Sequence, residues 1–233
     1  MDYVALFHDD YSTAALADAA YRAKVPVRIP PSGLVPLDRY QKLAGPAFTV
    51  AANNDLVSIL TAVHRAEAGQ VAVITNKTFE VAVFGDLIAT ESQRKGLAGF
   101  VVDGLVRDKL AVLDIGFPVM SRGTLPIGPL KISADLKGIG LINSPVQLGE
   151  VTVQPGDWVF GDADGVIVLD ADDLDAVFTR AKISQEREEQ LMAEIRAGTP
   201  LGELFQLEDF LEKRAKDPST TWRQHLTDLG RAQ

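Results

Sequence analysis

Two short segments carry charged residues at a spacing that could build one binding site. Asp86 lies in Gly85-Asp86-Leu87-Ile88, and twenty residues separate it from the adjacent pair Arg107-Asp108. Carboxylates beside a guanidinium can form an oxygen-ligand metal site and can also hold an anionic substrate. If the fold brings the two segments together, they would form one pocket for a metal ion and an anion.

The residues around these segments predict a strand–helix–strand unit. Residues 81–84 form an apolar run, residues 86–96 have a polar helical pattern, and residues 100–102 form a second apolar run. In such a unit the two strands are parallel, so both charged segments would lie at the carboxyl ends of neighbouring strands. That edge is where open α/β sheets bind ligands.

The residue types at this edge favour a small anion together with a hard metal ion. Free N–H groups near Asp86, Leu87 and Ile88, at the start of the helix, would bind an anion. Arg107 can bind a carboxylate through two parallel hydrogen bonds. Oxygen-only ligands such as Asp108, completed by waters, suit Mg²⁺ or Mn²⁺ better than zinc. The combination suits a small 2-oxo acid, with its carboxylate on the amides and its oxo group near the metal and the arginine.

Several of these residues also have a purely structural interpretation. Asp86 could cap its helix, Asp103-Gly104 could be a turn, and Arg107 could pair with a surface acid, which contributes little to stability. Lys77 could form a Schiff base in a metal-independent aldolase, but nothing nearby predicts the desolvation that such a lysine needs, so a solvated loop lysine is favoured. The stretch Asp162-Ala163-Asp164-Gly165 resembles the start of a calcium loop, but it lacks the later glutamate and predicts a tight turn.

Composition and missing motifs narrow the function classes. The 233 residues include 23 basic and 32 acidic ones, without the clusters of Lys and Arg that nucleic-acid binding uses. The sequence has no cysteine, its three histidines are far apart, and it lacks the nucleophile-elbow and phosphate-loop motifs. No run approaches the roughly eighteen apolar residues of a membrane span, and the first residues lack a signal-peptide pattern. We therefore expect a cytoplasmic protein that binds neither nucleic acid nor membrane.

The chain divides into an α/β body and a helical C-terminal region. We expect residues 1–170 to form the α/β catalytic domain and residues 171–233 a helical extension that packs against a neighbouring subunit. Outside the central unit, the patterns predict helices over residues 14–20 and 55–67 and strands over residues 45–50, 71–74, 150–153, 158–160 and 166–169.

Taken together, the motifs resemble the RraA-like family. That family includes class II pyruvate aldolases acting on 4-hydroxy-4-methyl-2-oxoglutarate and 4-carboxy-4-hydroxy-2-oxoadipate. The matching segments follow the family's order over about residues 12–170. They are residues 12–19, 45–50, Gly85-Asp86, Arg107-Asp108, Pro145-Val146, 153–157 and 162–166.

The resemblance implies a fold, an assembly and a reaction. The fold is the ββα swivelling-domain type, and the assembly is a homotrimer or a homohexamer with sites between subunits. The reaction is the cleavage of a 4-hydroxy-2-oxo acid to pyruvate through a metal-stabilised enolate, with oxaloacetate decarboxylase activity. The cofactor is a divalent metal, Mg²⁺ or Mn²⁺.

The resemblance also implies roles for individual residues. Asp108 would ligate the metal, Asp86 would help to hold its waters, and Arg107 would bind the pyruvyl oxygen. A glutamate from a neighbouring subunit's C-terminal helix would reach the site. Its spacing to the glycine at residue 198 places it at Glu188 or Glu189, and we take Glu189 as the catalytic candidate.

The resemblance further implies that the substrate carboxylate would bind the backbone amides of Leu87 and Ile88, beside Gly85.

Two segments depart from the family's pattern. Gly69-Gln70 stands where the family usually has Gly-Asp, and residues 76–80 replace a glycine-rich loop. Because that loop helps to shape the substrate pocket, the pattern leaves the identity of the substrate open.

The family also contains regulators that bind and inhibit RNase E without aldolase chemistry. The resemblance implies that these regulators lack the aspartate after the arginine, whereas this chain has Asp108. The residue favours an enzyme, and a non-catalytic RNase E regulator is the alternative.

Overall fold

The computed structural model describes residues 1–76, 78–129 and 140–230. These residues form two compact units, Met1–Phe178 and Thr179–Gln233. The first combines a large sheet with helices, and the second is helical, so the predicted α/β fold with a C-terminal helical region is confirmed. Lys77, the candidate for Schiff-base chemistry, lies outside the described residues.

The helices and strands have the following bounds. The helices are α1 (Tyr3–Asp9), α2 (Thr13–Ala23), α3 (Leu56–Arg65), α4 (Asp86–Lys95), α5 (Lys109–Ile115), α6 (Leu174–Arg196), α7 (Leu201–Leu204), α8 (Leu207–Lys216) and α9 (Trp222–Asp228). The strands are β1 (Val35–Pro36), β2 (Leu43–Ala51), β3 (Val71–Thr75), β4 (Ala82–Phe84), β5 (Gly99–Val106), β6 (Val119–Thr124), β7 (Val146–Leu148), β8 (Val151–Val153), β9 (Trp158–Asp162) and β10 (Gly165–Leu169). No helix in the described part of the chain combines the length and apolar character that crossing a membrane requires.

One mixed sheet contains eight of the strands in the described residues, in the order β1-β6-β5-β3-β2-β9-β10, with β4 paired to β5. Strands β2, β3, β5 and β6 are parallel neighbours, and β4 is also parallel to β5. Strands β1, β9 and β10 pair antiparallel. Strands β7 and β8 form a separate hairpin, so the strands predicted at 150–153 and 158–160 exist but join different sheets.

The central parallel strands are buried on both faces. In β5, Phe100 and Val102 belong to one hydrophobic cluster, whereas Val101 belongs to the other. Ile59 of α3 and Ala89 of α4 pack into the first cluster. Burial on both faces explains why these strands appear in the sequence as continuous apolar runs rather than as alternating patterns.

Asp162 ties α2 to the β9–β10 hairpin. Its Oδ2 accepts a hydrogen bond from the Thr13 backbone N–H at 2.7 Å, and its Oδ1 accepts from the Thr13 hydroxyl at 2.6 Å and from the Asp164 N–H at 3.0 Å. Both oxygens are therefore engaged inside the protein, and the side chain is buried. The predicted tight turn is confirmed. In the calcium-loop alternative Asp162 would be the first ligand, but its carboxylate is already engaged by Thr13 and Asp164.

Replacing Asp162 should destabilise the first unit. Asp162→Ala leaves two buried Thr13 donors unpaired, at about 1–3 kcal/mol for each such group, so we expect the free energy of unfolding to fall by about 2–4 kcal/mol in urea denaturation. Asp164→Ala is the matched control, because Asp164 is exposed in the same turn, and it should change stability by less than about 0.5 kcal/mol. Equal losses in the two variants would contradict the anchoring role of Asp162.

Candidate active site

The pairing of β4 with β5 brings the two charged segments together. Ala82 lies beside Leu105 and Phe84 beside Val106 in a parallel arrangement. The Arg107 backbone N–H donates to the Phe84 carbonyl at 2.8 Å, which extends the pairing one residue beyond the end of β5. The predicted strand–helix–strand unit is confirmed, and its two charged segments lie at adjacent carboxyl ends.

Arg107 and Asp108 form a close, half-exposed pair at the end of β5. The Arg107 Nε donates to Asp108 Oδ2 at 3.1 Å, and the side chains are 42% and 35% exposed. Asp108 occupies the N-cap position of α5 in a left-handed conformation, φ +54°, yet its side chain makes no capping hydrogen bond. A non-glycine residue held in this conformation stores strain, which often marks a functional position. The carboxylate is turned toward the arginine instead of the helix.

Two glycines make room for these side chains. A Cβ atom added at Gly85 would lie 2.6 Å from Asp108 Oδ2, and one added at Gly128 would lie 2.4 Å from Arg107 Nη1. Both distances are far below van der Waals contact, so a larger residue at either position would displace a charged group. Gly128 lies in the irregular stretch that follows β6, and no sequence signal connected it to Arg107.

The first turn of α4 places Asp86 and its amides beside the glycine. Gly85 is the N-cap, without a side chain to satisfy the first N–H groups, and Asp86 is the first helical residue. Asp86 Oδ1 accepts from the Leu87 N–H at 2.7 Å, so a substrate carboxylate on that amide would have to replace Asp86. The first backbone bond within the helix runs from Ala89 to Gly85, which leaves the Ile88 N–H without an intrahelical partner.

Asp103 lies within β5 and forms an ion pair, instead of the turn that the sequence allowed. Its Oδ1 accepts from Arg122 Nε at 2.7 Å in a largely buried ion pair, and Arg122 also donates to the carbonyls of Pro31 and Ser32. Asp103 therefore holds a loop against β5 and β6. The other three charged residues of these segments lie elsewhere: Arg107 pairs with Asp108, and Asp86 lies at the end of the neighbouring strand.

Glu188 and Glu189 lie in the second unit, in the exposed C-terminal half of α6. Glu189 Oε1 accepts from Gln185 Nε2 at 3.1 Å, and both glutamates border a shallow groove together with Met192 and Arg196. That one of them reaches a neighbouring subunit's site stays a prediction.

The donor groups at the strand ends fit a magnesium-type ion. Among the described residues, no group of three or more His, Asp or Glu side chains converges as a ready metal cage. Mg²⁺ does not need one, because it keeps several waters and is typically held by one or two carboxylates and the substrate. Asp108 and Asp86 supply such carboxylates, and no nitrogen or sulfur donor accompanies them in these two segments.

Comparison with known proteins decides the family. The family model described as "RraA-like: Aldolase/RraA" matches residues 13–168. The chain belongs to the RraA-like family. The match includes both charged segments and ends just before α6.

Individual relatives agree with this assignment. A protein of Halalkalibacterium halodurans named "Putative 4-hydroxy-4-methyl-2-oxoglutarate aldolase" is 39% identical over 161 residues, covering 68% of this chain and 74% of its own. An uncharacterized protein from Pseudomonas syringae has a similar structure, with a TM-score of 0.72 at 24% identity over 84% of this chain and 89% of its own. The RNA-processing inhibitor RraA from Thermus thermophilis gives a TM-score of 0.60 at 24% identity, over 69% and 93% of the two chains. The two structural likenesses show the RraA-like fold.

The glycine at residue 128 should control the anion affinity of this site. Gly128→Ala would push the Arg107 guanidinium away from its present position, and losing a hydrogen bond to a charged group costs about 1.5–3 kcal/mol. We expect oxalate, a small planar dicarboxylate, to bind about 10- to 100-fold more weakly in the presence of Mg²⁺ by isothermal titration calorimetry.

Gly202→Ala is the matched control, since a Cβ there meets no atom closer than 3.9 Å. It should leave the oxalate affinity unchanged, and thermal melting of both variants checks that they are folded. Undiminished oxalate affinity in a folded Gly128→Ala protein would contradict the placement of Arg107 in the site.

Proposed function

We propose that the protein is a divalent-metal-dependent aldolase that cleaves a 4-hydroxy-2-oxo acid to pyruvate and a second carbonyl compound, and that it also decarboxylates oxaloacetate. The observation that carries this proposal is the meeting of Arg107-Asp108 with Gly85 and the first turn of α4 at two adjacent strand ends. The name of the 39% identical relative supports the same reaction class.

Asp108 is the residue whose carboxylate would ligate Mg²⁺ or Mn²⁺, and Asp86 would help to hold the ion's waters. When bound, the ion supplies Lewis-acid polarisation of the substrate's C2 carbonyl. The two residues follow the neighbouring parallel strands β4 and β5.

Arg107 is proposed to stabilise the charge that develops in the reaction. Its Nε donates to Asp108, whereas its two terminal nitrogens make no hydrogen bond within the described part of the chain and would be available to the substrate. When the C3–C4 bond breaks, its electron pair passes through C3 onto the C2 oxygen, and the C4 hydroxyl loses its proton as it becomes a carbonyl. A fixed guanidinium near that oxygen lowers the barrier because the charge increases in the transition state. In oxaloacetate the electron pair of the C3–C4 bond likewise passes through C3 onto the C2 oxygen as C4 leaves as carbon dioxide, and a proton from water then adds to C3 to give pyruvate.

Water is the proposed proton carrier. The three histidines of the sequence lie in α1, α3 and α9, at His8, His64 and His225, and none belongs to the segments that follow β4 and β5. The substrate carboxylate is proposed to bind at the start of α4, where the Ile88 amide has no intrahelical partner and the Leu87 amide is shared with Asp86.

A non-catalytic regulator of RNase E is the alternative function. The likeness to the Thermus thermophilis inhibitor at 24% identity reflects the shared fold. In favour of the enzyme, Asp108 is held in a strained conformation with its carboxylate beside Arg107, an arrangement that a helix cap alone does not need. Inhibition of RNase E at micromolar concentration without any pyruvate formation would support the regulator.

Turnover with and without metal tests the proposal. We expect pyruvate release from oxaloacetate and from 4-hydroxy-4-methyl-2-oxoglutarate with Mg²⁺ or Mn²⁺, loss of that release with EDTA, and its recovery when metal is restored. Asp108→Ala should lower kcat/KM by at least about 100-fold, which corresponds to about 2.7 kcal/mol of transition-state stabilisation.

Asp114→Ala is the matched control, because Asp114 is an exposed aspartate on α5, and it should retain wild-type kcat/KM. Full activity in Asp108→Ala would overturn the site assignment. Activity that resists EDTA but is lost in Lys77→Ala would instead indicate Schiff-base chemistry.

A further inference from the structure

A partly buried network of side-chain amides lies on the same sheet edge as the candidate site, at the carboxyl ends of β2 and β3. Asn76 directly follows β3, and its backbone N–H donates to the Asp103 carbonyl of β5 at 3.1 Å. Asn54 lies in the turn between β2 and α3. Because β2, β3, β4 and β5 run in the same direction, this network shares the sheet edge that carries Arg107.

The Asn76 side chain makes three hydrogen bonds, which join it to two other segments. Its Oδ1 accepts from the Asn54 backbone N–H at 2.7 Å. Its Nδ2 donates to Asn54 Oδ1 at 2.8 Å and to the Thr78 carbonyl at 2.7 Å. Asn54 Nδ2 in turn donates to the Thr78 hydroxyl at 2.6 Å. A network of reciprocal side-chain hydrogen bonds of this kind restrains the segments it joins.

The backbone conformation of Asn53 and Asn54 indicates that their surroundings hold this network in place. Asn53 and Asn54 are consecutive residues in the left-handed region, with φ values of +51° and +59°. Asn76 is only 4% exposed, and a Cβ added at the neighbouring Gly104 would lie 3.0 Å from the Asn76 Cβ. Two successive strained residues persist only where their surroundings hold them, and such strain concentrates near functional sites.

A short path of contacts leads from this network to Arg107. Thr78 begins the stretch Thr78–Val81 that enters β4, and the first residue of β4, Ala82, donates its N–H to the Ile127 carbonyl at 2.8 Å. The next residue, Gly128, lies directly against the Arg107 guanidinium. The position of the Arg107 head group therefore depends on a backbone segment that is tied to the start of β4.

We infer that Asn54, Asn76 and Thr78 form a clamp that positions Arg107 for the substrate. The clamp fixes the stretch before β4, the Ala82–Ile127 hydrogen bond fixes the backbone beside Gly128, and that backbone sets the guanidinium. The three residues are positioning residues, not catalytic ones. The inference rests on the proposed function, in which Arg107 binds an oxygen of the 2-oxo acid.

Thr78→Val and Thr78→Ser form a matched pair that tests the clamp. Valine keeps the shape of the side chain but removes the acceptor for Asn54 Nδ2, whereas serine retains the hydroxyl. With Mg²⁺ present, Thr78→Val should weaken oxalate binding by about 3- to 10-fold, and Thr78→Ser should stay within about twofold of wild type. In a Gly128→Ala background, where Arg107 is already displaced, Thr78→Val should add less than about twofold. Equal effects in both backgrounds, or no effect in either, would overturn the clamp.

Hydrogen exchange provides a readout that does not depend on activity. Thr78→Val should speed amide exchange at Ala82, whose N–H donates to the Ile127 carbonyl, as well as in Thr78–Val81, and Thr78→Ser should not. Faster exchange confined to Thr78–Val81 would refute the connection to Arg107. A wild-type protein that neither binds oxalate nor releases pyruvate would refute the proposed function, and the exchange comparison would still decide whether the clamp holds the backbone beside Arg107.

Discussion

The parallel pairing of β4 with β5 is the constraint on which the candidate site depends. β4 is only three residues long, and it pairs with the last two residues of β5. The Arg107 N–H to Phe84 carbonyl bond then aligns the residues that leave the two strands. Without this pairing, Asp86 and Asp108 would belong to unrelated ends of the sheet. Phe84 and Val106 belong to the same hydrophobic cluster, so the two paired strand ends are held by the core. Burial of these apolar side chains therefore sets the positions of the charged residues that follow them.

The ion pair itself contributes little to this arrangement. Arg107 and Asp108 are more than one-third exposed, and exposed pairs of this kind are worth about 0–1 kcal/mol. Their orientation comes instead from the backbone. Asp108 is held at a positive φ, and the absence of side chains at Gly85 and Gly128 leaves room for the charged groups in their present positions. In this arrangement the Asp108 carboxylate pairs with Arg107 instead of capping α5.

The sequence was sufficient to predict the central unit and its two charged segments. Apolar runs bounded by glycine identify buried strands, and helical periodicity identifies α4, because both are local properties of the chain. The hairpin turn at Asp162 was also predicted from local residue types. Pairings such as Asp103 with Arg122 were not predictable in this way, since their partners lie far apart in sequence and have no shared pattern.

The same limit applies to Gly128 and to the Asn54–Asn76 network. Gly128 matters because it has no side chain, which leaves room for the Arg107 guanidinium. A glycine in a Gly- and Pro-rich stretch gives no local sign of such a contact. Asn54 and Asn76 are 22 residues apart and belong to no shared sequence pattern, so their side-chain hydrogen bonds appear only when β2 and β3 are placed side by side. The N-terminal helix α1 was also not predicted from the sequence pattern.

The proposed function requires this sheet edge to stabilise the enolate of pyruvate. Exchange of the pyruvate methyl protons in D₂O tests it most directly, because the reaction needs no knowledge of the physiological substrate and can be followed by proton NMR. We expect the methyl signal to disappear in the presence of enzyme and Mg²⁺ and to persist with EDTA or with Arg107→Ala. A methyl signal that the folded wild-type protein and Mg²⁺ leave unchanged would contradict enolate stabilisation at this edge.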